Sequence, residues 1–187
     1  MKISELMSSP VKTCRATDTL ASVAQLMWDN DCGFVPVVDS QDVVIGTLTD
    51  RDICMAAYTQ GKALSHIAVS TVAPHKVFTA SQGDQLSVAE MVMRRNRVRR
   101  VPVVDGENHL VGVLALSDLA RYLSTIGKGV SNGINAEGLG QTVAEITQAR
   151  HALTLTASPS TGDSVRRVVP TKKSLNGVRA TSSVSKD

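Results

Sequence analysis

Aromatic residues are nearly missing from this chain: one Trp, two Tyr and two Phe make up 3% of 187 residues. A nucleic-acid surface built on stacked rings would have little to work with. Any core must come from Val, Leu, Ile, Met and Ala, within an apolar content of 42%. Cysteine is scarce and odd in number. Cys14, Cys32 and Cys54 form no CxxC pair, so reduced thiols are expected rather than a disulfide framework. His66, His75, His109 and His151 lack ligand spacing, and no metal site is expected. There is no run of some twenty apolar residues and no apolar signal region at the start, so a cytoplasmic location is expected. No phosphate loop is present: GKGVSNG at 127–133 has its Lys misplaced and no strand before it. No nucleophile, base and orienting group fall together, so catalysis is not expected.

Neither sign of charge dominates until the chain is divided. The net charge is +3, but residues 151–187 carry six Lys/Arg and two acids, which leaves residues 1–150 at −1. Residues 1–60 stand at −4 and residues 61–125 at +3.

What the chain does have is a repeat. Residues 35–39 read VPVVD, and residues 101–105 read VPVVD again. The offset of 66 extends outward without a gap, pairing Asp18 with Asp84, Leu20 with Leu86, Met27 with Met93, Gly46 with Gly112 and Asp52 with Asp118. From Val11–Ala57 onto Val77–Leu123, 14 of 47 positions are identical, so the chain is internally duplicated. Each copy is too short to bury its apolar faces alone, and a shared core is expected.

Both copies read strand, helix, strand, strand, helix. In the first, ISELM gives a helical turn, VKTC a short extended piece, and TLASVAQLMWDN a helix with Leu20, Val23 and Met27 on one face. Thr19 or Asp18 can cap it. FVPVVD and VVIGTLT form a hairpin, and DRDICMAAY resumes helical spacing. The second copy follows with QLSVAEMVMRR, VPVVD, HLVGVLA and SDLARYL. Pro36 and Pro102 should sit where no ladder donor is needed, and Gly46 and Gly112 where backbone is approached closely. EGLGQTVAEITQAR predicts one more amphipathic helix, with Val143, Ile146 and Ala149 on a face. Ser, Thr, Pro and basic residues dominate from Thr154, and Thr154–Asp187 is expected to be disordered.

VPVVDSQDVVIGTLTDRDI and VPVVDGENHLVGVLALSDL resemble the signature halves of two cystathionine-β-synthase (CBS) domains in tandem, a Bateman module. The resemblance covers roughly Met1–Ser124, and the whole layout is similar to small stand-alone bacterial CBS-pair proteins. It implies an α/β (α+β) fold of two CBS domains related by a pseudo-two-fold axis, followed by a C-terminal helix and a tail. The segments expected are 1–60 and 61–125 for the domains, 126–153 for linker and helix, and 154–187 for the tail. The resemblance further implies two clefts that bind adenosine-type ligands such as AMP, ADP, ATP or S-adenosylmethionine. Each cleft would take its ribose-binding Asp from one repeat and an adenine-side strand from the other. No cofactor is required.

Carried onto this sequence, one cleft joins Thr47, Thr49 and Asp52 to Thr79, Val98, Arg99 and Arg100. The other, with less positive charge, joins Thr13, Cys32 and Gly33 to Val113, Ser117 and Asp118. A carboxylate can accept both hydroxyls of a ribose diol in charge-assisted bonds, and a guanidinium can grip a phosphate at two points. Thr49-x-x-Asp52 also reads as a capping box. The second copy has Ala115 where the first has Thr49, with Ser117 as a substitute hydroxyl, so the Asp118 cleft is expected to be the weaker. The expected function is a ligand-sensing regulatory module, a homodimer that signals to a protein partner. Two alternatives remain: nucleic-acid binding through Arg94–Arg100 and the basic tail, and a ligand-free dimeric scaffold. The slightly acidic body and the few aromatics argue against the first.

Overall fold

The computed structural model describes residues 1–73, 76–125 and 134–148. The expectations for the 127–133 linker, Ala149 and the tail lie outside these residues. Helix α1 (Leu20–Asp29) starts at Thr19, whose hydroxyl oxygen accepts the Ser22 N–H at 3.2 Å, and it buries Leu20, Val23 and Met27. Asp18 is not the cap; its carboxylate instead takes the Arg15 N–H at 2.8 Å. Strands β1 (Phe34–Val38) and β2 (Val44–Thr49) pair antiparallel and lead into α2 (Asp50–Gln60). The second repeat gives β3 (Ala80–Ser81), α3 (Leu86–Asn96), β4 (Arg100–Val104), β5 (Leu110–Ala115) and α4 (Leu116–Thr125). The expected strand at VKTC shrinks to one parallel bridge between Cys14 and Val37, matching the two-residue β3 beside β4.

The Asp that ends each VPVVD closes its hairpin. Asp39 accepts the N–H groups of Gln41 at 2.9 Å and Val43 at 3.0 Å, and Asp105 those of Glu107 and His109, both at 2.9 Å. The loops turn through Asp42 (φ 60°) and Asn108 (φ 66°), residue types that tolerate the left-handed region.

The repeats exchange their leading segments. Ile3 N–H donates to the Asp84 carbonyl and Val69 N–H to the Asp18 carbonyl, both at 2.9 Å and 66 residues apart on each side. Ile3 therefore belongs to the second repeat's core with Leu86, Met93, Val101 and Leu114, while Ile67 and Val69 belong to the first with Leu20, Val35 and Leu48. Instead of the single shared core expected, there are two, each completed by the other repeat's leading segment. The strand glycines make room for these segments: a Cβ on Gly112 would run into Met7, and one on Gly46 would lie 3.4 Å from the Ala73 Cβ. Val43 and His109, which are repeat equivalents, bridge each other and join the two hairpins.

Helix α5 (Ala136–Thr147) packs on α3 and α4. Its buried face is Leu139 and Thr142, with Ile146 partly covered; the Thr142 hydroxyl donates to Glu90 at 2.9 Å. This corrects the expected face, because Val143 is exposed. The matching layer of the first repeat, α1 and α2, leaves Trp28 at 83% exposure, Tyr58 at 82% and Met55 at 45%.

Candidate functional site

Each hairpin's second strand runs straight into a helix, and that junction fixes an acid. Asp52 stands at the third position of α2. Its Oδ2 accepts the Thr49 N–H at 2.9 Å and the Thr49 hydroxyl at 2.6 Å, while its own N–H donates to Thr49 Oγ1 at 3.2 Å. This is a complete capping box. Oδ1 stands outside these bonds, and the residue is half-buried. Asp118 holds the matching place on α4. There Oδ2 accepts the Ala115 N–H at 2.8 Å, Arg121 Nη2 donates to Oδ1, and only 6% of the residue is exposed. Ala115 brings no hydroxyl.

A hollow of about 450 Å³ opens at Asp118. Ser8, Pro10, Val11 and Lys12 form one wall, Asn30 to Phe34 another, and Arg100, Val113, Ala115 and Asp118 the third. Of the residues assigned to this cleft, Cys32, Gly33, Val113 and Asp118 come together. Thr13 and Ser117 are not on its lining, and Ser117 is exposed. Arg100, assigned to the Asp52 cleft, lines this one together with Phe34. The reason lies in the duplication. The 66-residue offset exchanges Phe34 with Arg100, so both sit on the seam between the repeats. The hollow consequently carries two cations, Lys12 and Arg100, beside the acids Asp31 and Asp118. Lys12, Asn30 and Asp31 were missed; Lys12 directly precedes the assigned Thr13, the available signal.

Beside Asp52 a smaller hollow of about 280 Å³ runs along α2, lined by Met55, Ala56, Thr59, Gln60, Thr71 and Val72. Among the described residues its lining holds none of Thr47, Thr49, Thr79, Val98, Arg99 and Arg100. The repeat offset carries the Asp118 hollow onto Asp52, Thr49, Thr47 and Asn96 to Arg100. Of the wall Ser8, Pro10, Val11 and Lys12, Ser8 maps onto residue 74, outside the described set, and the others map onto Lys76, Val77 and Phe78. Under this mapping Asp31 becomes Arg97 and Gly33 becomes Arg99. Arg99 is exposed, and its carbonyl accepts the Leu116 N–H at 2.8 Å, which ties it to the start of α4.

Two ionisable groups depart from their ordinary values. Burial, with Asp18 nearby, pushes the Cys14 thiol up to about 12. The Glu107 N–H holds the Asp105 carboxyl below the usual carboxylate range, against some desolvation and with help from His109. Among the described residues no group of three or more His, Cys, Asp or Glu is placed to hold a metal ion, and no helix is long and apolar enough to cross a membrane.

The family model for the CBS domain matches twice, over residues 3–58 and 69–125. The chain belongs to the CBS-domain family. As a tandem CBS pair it is 36% identical over 118 residues to the CBS domain-containing protein YhcV of Bacillus subtilis, covering 63% of this chain and 82% of that one. Hypoxic response protein 1 of Mycobacterium tuberculosis is 30% identical over 119 residues, 64% of this chain and 82% of the relative. The crystal structure of Hypoxic Response Protein I, with two coordinated zinc ions, has a TM-score of 0.61 at 29% identity, covering 66% of this chain and 99% of that one. A CBS domain protein from Pyrobaculum aerophilum, complexed with AMP, has a TM-score of 0.59 at 27% identity, covering 68% and 93%. These neighbours carry the same mixed α and β fold of paired CBS domains.

Proposed function

We propose that this CBS pair is a non-catalytic regulatory module that binds an adenosine-type nucleotide at the seam between its repeats. The observation that carries the reading is the placement of Asp52 and Asp118 at equivalent helix starts, with Arg100 on the seam between them. Each carboxylate is anchored through Oδ2 by its own helix start, so its orientation is set before a ligand arrives. A ribose diol would donate to the acid, while the free N–H groups of a helix N-terminus and a guanidinium suit phosphate. The AMP held by the Pyrobaculum protein supports that ligand class.

The two clefts are unequal in this reading. The Asp52 side combines Thr47, Thr49 and Asp52 with Thr79, Val98 and Arg99, with Arg100 on the seam it shares with the Asp118 hollow, and is the phosphate-competent site. The Asp118 side, with Cys32, Gly33 and Val113, is the weaker. Ligand bridging both repeats favours one arrangement of the module, and a partner responds to that population shift. Pairing of two chains belongs to the same proposal: the exposed Trp28, Met55 and Tyr58 are available to a second copy, whereas α5 already covers the matching layer of the second repeat.

A melting screen with AMP, ADP, ATP, NAD and S-adenosylmethionine tests the ligand class. A ligand present at 100 times its dissociation constant adds about 2.7 kcal/mol, which melting resolves. A flat screen alongside salt-sensitive retention of RNA or DNA would replace this reading with the nucleic-acid one.

A further inference from the structure

Asp52 and Asp118 are repeat equivalents, yet their outer oxygens meet different neighbours. Position 55, one turn beyond Asp52, is Met55; the same position beyond Asp118 is Arg121. The Arg121 guanidinium is bonded to Asp118 Oδ1, while the Ala115 N–H holds Oδ2. The Arg121 side chain is 75% exposed and that of Asp118 only 8%. The cation can therefore swing away into water, whereas the carboxylate is fixed. No such cation follows Asp52 on α2, and its Oδ1 takes no part in the capping box.

We propose that Arg121 is a specificity-determining residue of the Asp118 hollow, a clamp that must leave the carboxylate before a sugar diol can take it. The inference rests on the ligand-cleft reading above. Oδ2 is held by the Ala115 N–H, so a diol must reach Oδ1, and its bonds there gain strength from the negative charge. The guanidinium occupies one oxygen and neutralises that charge. A neutral nucleoside brings nothing to compensate the displaced cation, so it meets the clamp as a pure cost. Salt screens an ion pair to the extent that it is exposed, and here the guanidinium is the exposed member. Raising salt should consequently loosen the clamp and tighten a neutral nucleoside at Asp118, opposite to the usual effect of salt on a phosphate ligand.

The test titrates adenosine into the full chain carrying Asp52→Asn, which isolates the Asp118 hollow, with and without Arg121→Met. Arg121→Met should tighten adenosine about fivefold. Going from about 50 mM to about 500 mM salt should tighten it only where Arg121 is present. Arg121→Gln, polar but uncharged, should reproduce the gain, and it serves equally if the Met variant does not fold. Suppose adenosine binds and Asp118→Asn abolishes it, but neither Arg121 variant moves the affinity or its salt dependence. Then the clamp is wrong and the cleft stands. If adenosine binds none of these proteins, clamp and Asp118 cleft fall together.

Discussion

Asp52 gives one carboxylate oxygen to its own helix start and keeps the other outside that bond network, so capping and ligand binding are compatible in one side chain. The capping role was legible because Thr49 and Asp52 stand at capping-box spacing; the ligand role is a proposal suggested by the acid's recurrence at Asp118. The role of Asp39 and Asp105 was not legible. Their side chains cap a loop, and nothing in VPVVD distinguishes a loop-closing acid from a ligand-facing one until the N–H groups around it are located. Arg100, assigned to the Asp52 side, lines the Asp118 hollow for a related reason: a residue on a pseudo-two-fold seam can face either side, and residue spacing cannot say which. Cysteine chemistry also separates by position. Cys14 is buried with its thiol raised to about 12, Cys32 is partly covered, and Cys54 is exposed. Thiolate is the reactive form. Near neutral pH an aromatic disulfide reagent should therefore label Cys54 first, then Cys32, and reach Cys14 only when denaturant opens the first core. Mass mapping of a partly labelled sample checks the order, and early modification of Cys14 would contradict it.

Among the elements, the long periodic helices and both hairpins could be read directly, because Leu20-Val23-Met27 and Leu86-x-x-Ala89-x-x-x-Met93 mark a buried stripe. The short edge pieces could not. VKTC has strand composition, yet it finds only one bridge at Cys14, since its neighbours turn aside to wall the Asp118 hollow. On α5 the expected stripe of Val143, Ile146 and Ala149 failed at Val143, which is exposed, while Ile146 is partly covered. Thr142 takes the buried place because Glu90 of α3 offers its hydroxyl an acceptor there, a partner that periodicity in α5 alone does not reveal. The second repeat's helix layer is thus closed within the chain, while Trp28, Met55 and Tyr58 leave the first repeat's layer open.

At the scale of the molecule, duplication fixes more than a shared plan. The exchange of leading segments interlocks the two cores: Ile3 is fully buried in the second and Ile67 in the first. The repeat predicted two similar units, but not that each would begin inside the other. That required the backbone bonds from Ile3 to Asp84 and from Val69 to Asp18. A substitution three residues from the N-terminus should behave as a core deletion. Ile3→Ala should cost about 2–5 kcal/mol, read as a lowered denaturant midpoint, where a surface position would show almost nothing. The same interlock makes the seam a place where a ligand can bias both repeats at once. The most direct measurement of that claim is calorimetric titration of AMP into the intact chain, its Asp52→Ala variant and its Asp118→Ala variant. The account predicts binding to the wild type, loss or at least a tenfold weakening in Asp52→Ala, and a smaller effect in Asp118→Ala. AMP binding that is unchanged in Asp52→Ala would contradict it.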